Sequence, residues 1–318
     1  MPMKICSLLP GATEVVAALG LADHLVGISH ECDYPPAIKT TPVMIRAVID
    51  QEQMTSPDID QAVTRAASEH RSLYMLDDAM FRQAEPDLVI TQDLCHVCAV
   101  TPSQLHRAID SLPCRPHVLT LNAASLEDMF IDIERIGEAT NAMAAARTFT
   151  SSLRTRLQDL RTRVSAEEAL PTVVCVEWLD PLYAAGHWVP EMVSWAGAQH
   201  LVGRAGGQSE RITWEQLAAA APDVLIVMPC GFSIERTVRE MNRLTSHPEW
   251  SRLPAVQHGR VFAVDSGAFF SRPGPRLVDG TEILAALCHP SLFGQTTPAG
   301  ARQIATSMPA SPHTDVER

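Results

Sequence analysis

Two groups of side chains in this sequence are of types that do chemistry. Cys95 and Cys98, with His96 between them, and Cys32, close to His30, supply soft donors of the kind that hold transition metals. The same cysteines would serve equally as a redox pair, or as inert thiols on a turn. The second group is aromatic. Phe, Trp and Tyr make up only 5% of the chain. Yet Tyr34, Trp178, Tyr183, Trp188 and Phe270 all fall in segments that read as strand ends or loops, near Glu31, Gln92 and Arg272. Flat faces with a few polar groups suit a large, partly apolar ligand. Packing between two lobes is the other use for Trp178, Tyr183 and Trp188.

Catalytic signatures are absent from the sequence: no phosphate-cradling glycine loop, no nucleophile elbow and no His-Glu-x-x-His pair occurs. The expectation is a binding protein and not an enzyme. Two alternatives remain open. One is a metal or redox module built on Cys95, Cys98 and Cys32; the other is an enzyme whose thiolate acts on a bound ligand.

The elements that would position these residues follow from hydrophobic patterning. Short aliphatic runs at 5–9, 87–91, 118–121, 172–176, 224–228 and 261–264 are each followed by a helix-like stretch. That alternation predicts an α/β fold with mainly parallel sheets. Ligands of such sheets bind beyond the carboxyl ends of the strands, where the polar and aromatic residues above lie.

Internal similarity divides the chain. Residues 14–27 are echoed by 191–203, both ending His-Leu-Val-Gly, and Ala-Glu-Pro-Asp at 84–87 is echoed by Ala-Ala-Pro-Asp at 220–223. Two echoes in the same order predict a duplication, hence two related Rossmann-like lobes. We expect lobes at 1–121 and 169–293, linking helices at 122–168, and a disordered tail at 294–318, where periodicity fades. Ser125 and Asp128 form a capping signal, Gly137 is the expected break, and the stretch 140–164 would make a rigid helix of roughly 37 Å.

Length and charge narrow the function. A chain of 318 residues, 46% hydrophobic, can bury two cores. A net charge of −12 disfavours nucleic acid and anionic membranes as partners. Residues 1–11 hold no signal-peptide pattern, so a cytoplasmic location is expected, or a periplasmic one if the true start lies upstream. A soluble monomer with a small-molecule ligand and reduced thiols is the simplest expectation.

The order of Cys32-Asp33-Tyr34-Pro35-Pro36, the two Pro-Asp markers and Ser271-Arg272-Pro273-Gly274-Pro275-Arg276 resembles the cobalamin and iron-siderophore solute-binding proteins of ABC importers. The resemblance runs from residue 4 to about 290. It implies two lobes joined by a rigid helix, with cobalamin or another corrinoid, or a related metal chelate, held between them. Aromatic contacts carry over to Trp178 and Tyr183, and an arginine contact to Arg272. Glu31 and Gln92 stand where that family has first-lobe aromatics, so the first-lobe wall is more polar. Permease docking by one glutamate per lobe carries over to Glu215; its first-lobe counterpart is Ala79, beside Asp77 and Asp78. With docking half preserved and no signal-peptide pattern at the start, we expect a cytosolic relative that binds a similar ligand without an importer, an ABC permease being the alternative partner.

Overall fold

The computed structural model describes residues 2–69, 71–92, 102–167 and 169–305. The first sheet contains β1 (Ile5–Ser7), β2 (Leu25–Ser29), β3 (Val43–Ala47), β4 (Tyr74–Leu76), β5 (Leu88–Gln92) and β6 (His117–Leu121). Their order is β4-β3-β2-β1-β5-β6, parallel except for β4. The second sheet contains β7 (Thr172–Leu179), β8 (Leu182–Ala184), β9 (Gln199–His200), β10 (Glu210–Arg211), β11 (Val224–Val227), β12 (Val261–Val264) and β13 (Ala301–Gln303). It runs β10-β8-β7-β11-β12-β13; β9 is parallel to the first residues of β7, and the pairs β7–β8, β8–β10 and β12–β13 are antiparallel. The continuous aliphatic runs of β11 and β12 are buried at every residue, as parallel strands covered on both faces require.

The longer helices are α1 (Pro10–Ala18), α2 (Ser56–Ser68), α3 (Asp78–Ala84), α4 (Pro102–Asp110), α5 (Leu126–Ala139), α6 (Met143–Val164), α7 (Val189–Trp195), α8 (Trp214–Ala220), α9 (Ile234–Glu240) and α10 (Leu277–Cys288). The unit β1-α1-β2 with neighbour β5 matches β7-α7-β9 with neighbour β11 in order and direction. Stretches 14–27 and 191–203 therefore occupy equivalent helix-to-strand units. Gly20 and Gly197 follow the two helices with φ of 79° and 73°, a conformation that costs glycine nothing.

The Pro-Asp markers have a physical role. Asp87 accepts a 2.8 Å hydrogen bond from the Lys4 backbone N–H at the entrance of β1, and Asp223 accepts one of 2.8 Å from the Thr172 N–H that opens β7. Each aspartate thus ties its own strand to the start of the neighbouring one. Before each marker a helix ends in a left-handed residue, Glu85 or Ala221, both with φ of 45°.

Helix α5 begins as its sequence dictates, with the Ser125 hydroxyl accepting from the Asp128 N–H at 3.1 Å. Gly137 does not break it. The chain turns later, at Asn141 with φ of 57°. Gly137 instead lets α6 approach, since a Cβ there would stand 2.4 Å from that of Ala146. Helix α6, 22 residues and about 33 Å long, is bonded to both sides. Arg154 pairs with Glu127 of α5, and Arg156 with Asp279 and Glu282 of the helix Leu277–Cys288.

The C-terminal segment also departs from expectation. Residues 301–303, read as tail, form β13 against β12, burying an otherwise open sheet edge. Residues 306–318 lie outside the described part. Among the described residues no helix is long and apolar enough to cross a membrane.

Candidate ligand cleft

The loops that leave the carboxyl ends of the strands meet between the lobes. From the first lobe come residues 30–36 after β2 and the strap 48–55 after β3; from the second come the end of β7, residues 228–233 after β11 and residues 265–276 after β12. Their contacts fix the geometry. Arg272 donates to Asp33 at 2.6 Å, and Arg276 donates to Glu14 at 3.0 and 2.6 Å and to Asp33 at 3.4 Å. Backbones also approach closely: a Cβ on Gly11 would stand 2.4 Å from the Pro273 carbonyl oxygen, so only glycine fits.

The strap makes a second crossing. The Arg236 guanidinium, on α9, donates to the carbonyl oxygens of Gln51 (3.0 Å), Glu52 (2.8 Å) and Met54. Glu240 accepts from the Ser56 N–H at 2.9 Å and from its hydroxyl, and pairs with Arg236. Both side chains are buried, so the ion pair is compensated by hydrogen bonds to groups that themselves need partners. A cavity of about 410 Å³ lies beside this crossing, lined by Glu52, Gln53 and Met54 from one lobe and Arg236, Arg239 and Glu240 from the other.

Two of the expected aromatic contacts stand together. Trp178 and Tyr183 are cross-strand partners on β7 and β8, both half-buried. Trp178 meets Phe232 edge-on, centroids 5.4 Å apart, and its enclosed indole N–H has no hydrogen-bond acceptor among the described residues. Phe232 carries no sequence signal beyond being an aromatic after a strand. Across the cleft, Tyr34 is exposed and lies under the Arg276 guanidinium, 4.6 Å from the ring centroid.

Trp188 and Phe270 are not on the cleft wall. Both belong to the core, and the Trp188 indole N–H donates to the Phe270 carbonyl oxygen at 2.7 Å. They hold the loop that carries Arg272. The same loop is fixed by the Ser266 and Ser271 hydroxyls, 2.7 Å apart, and by the Gly231 N–H donating to Ser271 at 2.9 Å. For Trp188 the packing alternative holds, and Phe270, expected as a ligand contact, is likewise accounted for by burial of large apolar surface.

Glu31 accepts from the Tyr74 hydroxyl at 3.0 Å, and Gln92 ends β5, half-buried. Cys95, His96 and Cys98 lie outside the described residues. Cys32 does not present its sulfur to solvent. It is buried against the Thr13 hydroxyl at 3.2 Å, and burial pushes its thiol up to about 11, which keeps it protonated at neutral pH. Among the described residues no three His, Cys, Asp or Glu side chains are grouped to hold a metal ion.

Asp78 opens α3 and Glu215 lies in the first turn of α8, both exposed. Asp77 is used as the α3 cap, accepting from the Ala79 and Met80 N–H groups. A hydrogen bond with Thr213 holds the Glu215 carboxyl below its usual pKa, and Trp214 beside it stacks on His247 at 4.0 Å.

A family model described as periplasmic binding protein matches residues 5–268, from the first strand to the loop after β12. The chain belongs to the periplasmic binding protein family. Among its relatives is an ABC transporter substrate-binding lipoprotein of Bacillus subtilis, YvrC, 27% identical over 92% of this chain and 82% of the relative. The vitamin B12-binding protein of Vibrio cholerae is 23% identical over 88% and 86%. Solved structures show the same fold. The apo periplasmic heme-binding protein RhuT of Roseiflexus sp. RS-1 has a TM-score of 0.68 at 19% identity, covering 92% of this chain and 100% of that one. The vitamin B12-binding protein BtuF of Vibrio cholerae has 0.61 at 21%, covering 92% and 98%.

As a periplasmic binding protein, the chain is a member of a group that binds solutes for transporters rather than transforming them. The cytoplasmic expectation does not carry over: the relatives just named include a lipoprotein and a periplasmic protein, and that location conflicts with the family's usual one.

Proposed function

We propose that this binding protein holds a corrinoid, or a closely related metal chelate, between its lobes. The observation that carries the reading is the cross-strand pair Trp178 and Tyr183, both half-buried, at the carboxyl end of β7. Two half-buried aromatic side chains at a strand end suit a large macrocycle held by its faces. Arg272, Tyr34, Glu31 and Gln92 complete the proposed contacts. Relatives named for vitamin B12 binding support the corrinoid over other chelates, while neighbours named for haem and for Fe³⁺-hydroxamate transport supply the alternative.

Glu215 and Asp78 are the proposed contacts for an ABC permease, at equivalent helix starts in the two lobes. A metal ion at Cys95 and Cys98 is not needed by this reading. Titration calorimetry with cobalamin, cobinamide, haem and a ferric hydroxamate tests it. Micromolar or tighter corrinoid binding, roughly −8 kcal/mol or better, is expected. Tighter binding of haem or the hydroxamate would replace the corrinoid, and no heat with any of them would end the proposal.

A further inference from the structure

The charge at the cleft is arranged unevenly. Arg272 and Arg276 are enclosed, 16% and 15% exposed; Arg272 donates to Asp33 and Arg276 to Glu14 and Asp33, whereas Asp33 is 57% exposed. Glu31 adds a half-buried carboxylate on the same loop, and Asp265 lies near enough to both arginines and Asp33 for their charges to act on it. Four carboxylates against two guanidiniums leave an excess of two negative charges among the described residues. At the strap Arg236, Arg239 and Arg243 meet Glu52, Glu240 and Asp180, with Asp50 and Asp58 on the same segment, so acids are in excess there as well.

From this we infer that the cleft selects by charge, taking a neutral or cationic chelate and rejecting one that carries free carboxylates. The inference rests on the proposed chelate-binding role and narrows its substrate class. An entering carboxylate would have to displace Asp33 from Arg272 or lie beside it. Displacement leaves an unpaired acid at the interface, and juxtaposition places like charges together in a partly desolvated site. An amide-rimmed cation meets neither penalty: its amides donate to Asp33 and Glu31, and its charge is attracted. Two unit charges about 10 Å apart in such a medium change affinity roughly ten-fold or more.

The test uses the full chain and pairs of ligands that share a ring and differ in charge. One pair is cobinamide and cobyrinic acid, the corrin whose side-chain amides are replaced by carboxylates; the other is haem and its dimethyl ester. Cobinamide is expected to bind at least ten-fold tighter than cobyrinic acid at low salt. Asp33→Asn, with Glu31→Gln as a second variant, should narrow that gap several-fold by strengthening the acid. Equal or tighter binding of cobyrinic acid, or a gap unmoved by both variants, overturns the inference while leaving the corrinoid reading intact. If neither corrin binds, the corrinoid reading fails, and preference for the haem ester over the free acid still upholds charge selection. Preference for the free acid, or no binding of any of the four, overturns it.

Discussion

Arg276 of the second lobe and Glu14 of the first are joined by two hydrogen bonds of 3.0 and 2.6 Å, with the glutamate side chain only 5% exposed. Burial raises the Glu14 pKa and the arginine opposes that rise. The pair is therefore held by its geometry against a desolvation cost. Removing one partner should cost more than removing both. We expect Arg276→Met to lose about 3 kcal/mol of stability in urea unfolding, and the double variant Arg276→Met, Glu14→Leu to recover part of it.

The two tryptophans separate ligand contact from support. Trp178→Ala should weaken ligand binding ten-fold or more, the effect of a lost stacking face, with a modest change in melting temperature. Trp188→Phe removes the N–H that bonds to the Phe270 carbonyl. It should cost about 1–2 kcal/mol in stability, with any loss of affinity following from a displaced Arg272 loop. Calorimetry and thermal unfolding on both variants check the division.

Asp87 and Asp223 perform one task in two places, so their removal should read alike. Asp87→Ala and Asp223→Ala are each expected to cost about 1–2 kcal/mol, measured by denaturant unfolding. Both carboxylates accept strand-entrance N–H groups. For Asp223, whose hydrogen bonds with Thr172 hold its carboxyl below the usual carboxylate range, the contribution should persist at mildly acidic pH and be lost only as pH falls through that lowered value.

His200 gives a pH dependence of stability. Its ring nitrogens are enclosed, and burial lowers its pKa from about 6.5 in the unfolded chain to about 4. The unfolded state therefore binds more protons between these values, so stability is full above pH 6.5 and is lost as pH falls toward 4, by about 3 kcal/mol. His200→Phe should flatten that slope in urea unfolding measured from pH 7 to 4.5.

Much of this arrangement is legible in the amino-acid sequence. Uninterrupted apolar runs identify β11 and β12, and Leu88–Ile90 the first part of β5, because a doubly covered parallel strand disfavours a polar face. The edge strands β8, β10 and β13 are short and mixed in character, so local pattern does not reveal them; pairing with a neighbour makes them strands. Within the cleft, Trp178 and Arg272 are marked by type and place. Glu14, Asp33 and Arg276 are not, since each is an ordinary charged residue until a partner some 240 positions or more away in the chain comes to face it. The same holds for Arg236, whose role depends on three carbonyl groups in the other lobe.

The strap has a thermodynamic consequence. A chain that runs from one lobe through two helices into another could melt in two steps, each lobe at its own temperature. Here, unfolding of the second lobe strips Arg236 from the carbonyls of residues 51–54 and Glu240 from the first turn of α2, so the first lobe loses partners for its own backbone. The lobes share one fate on heating, and calorimetry should record a single endotherm whose van't Hoff and calorimetric enthalpies agree.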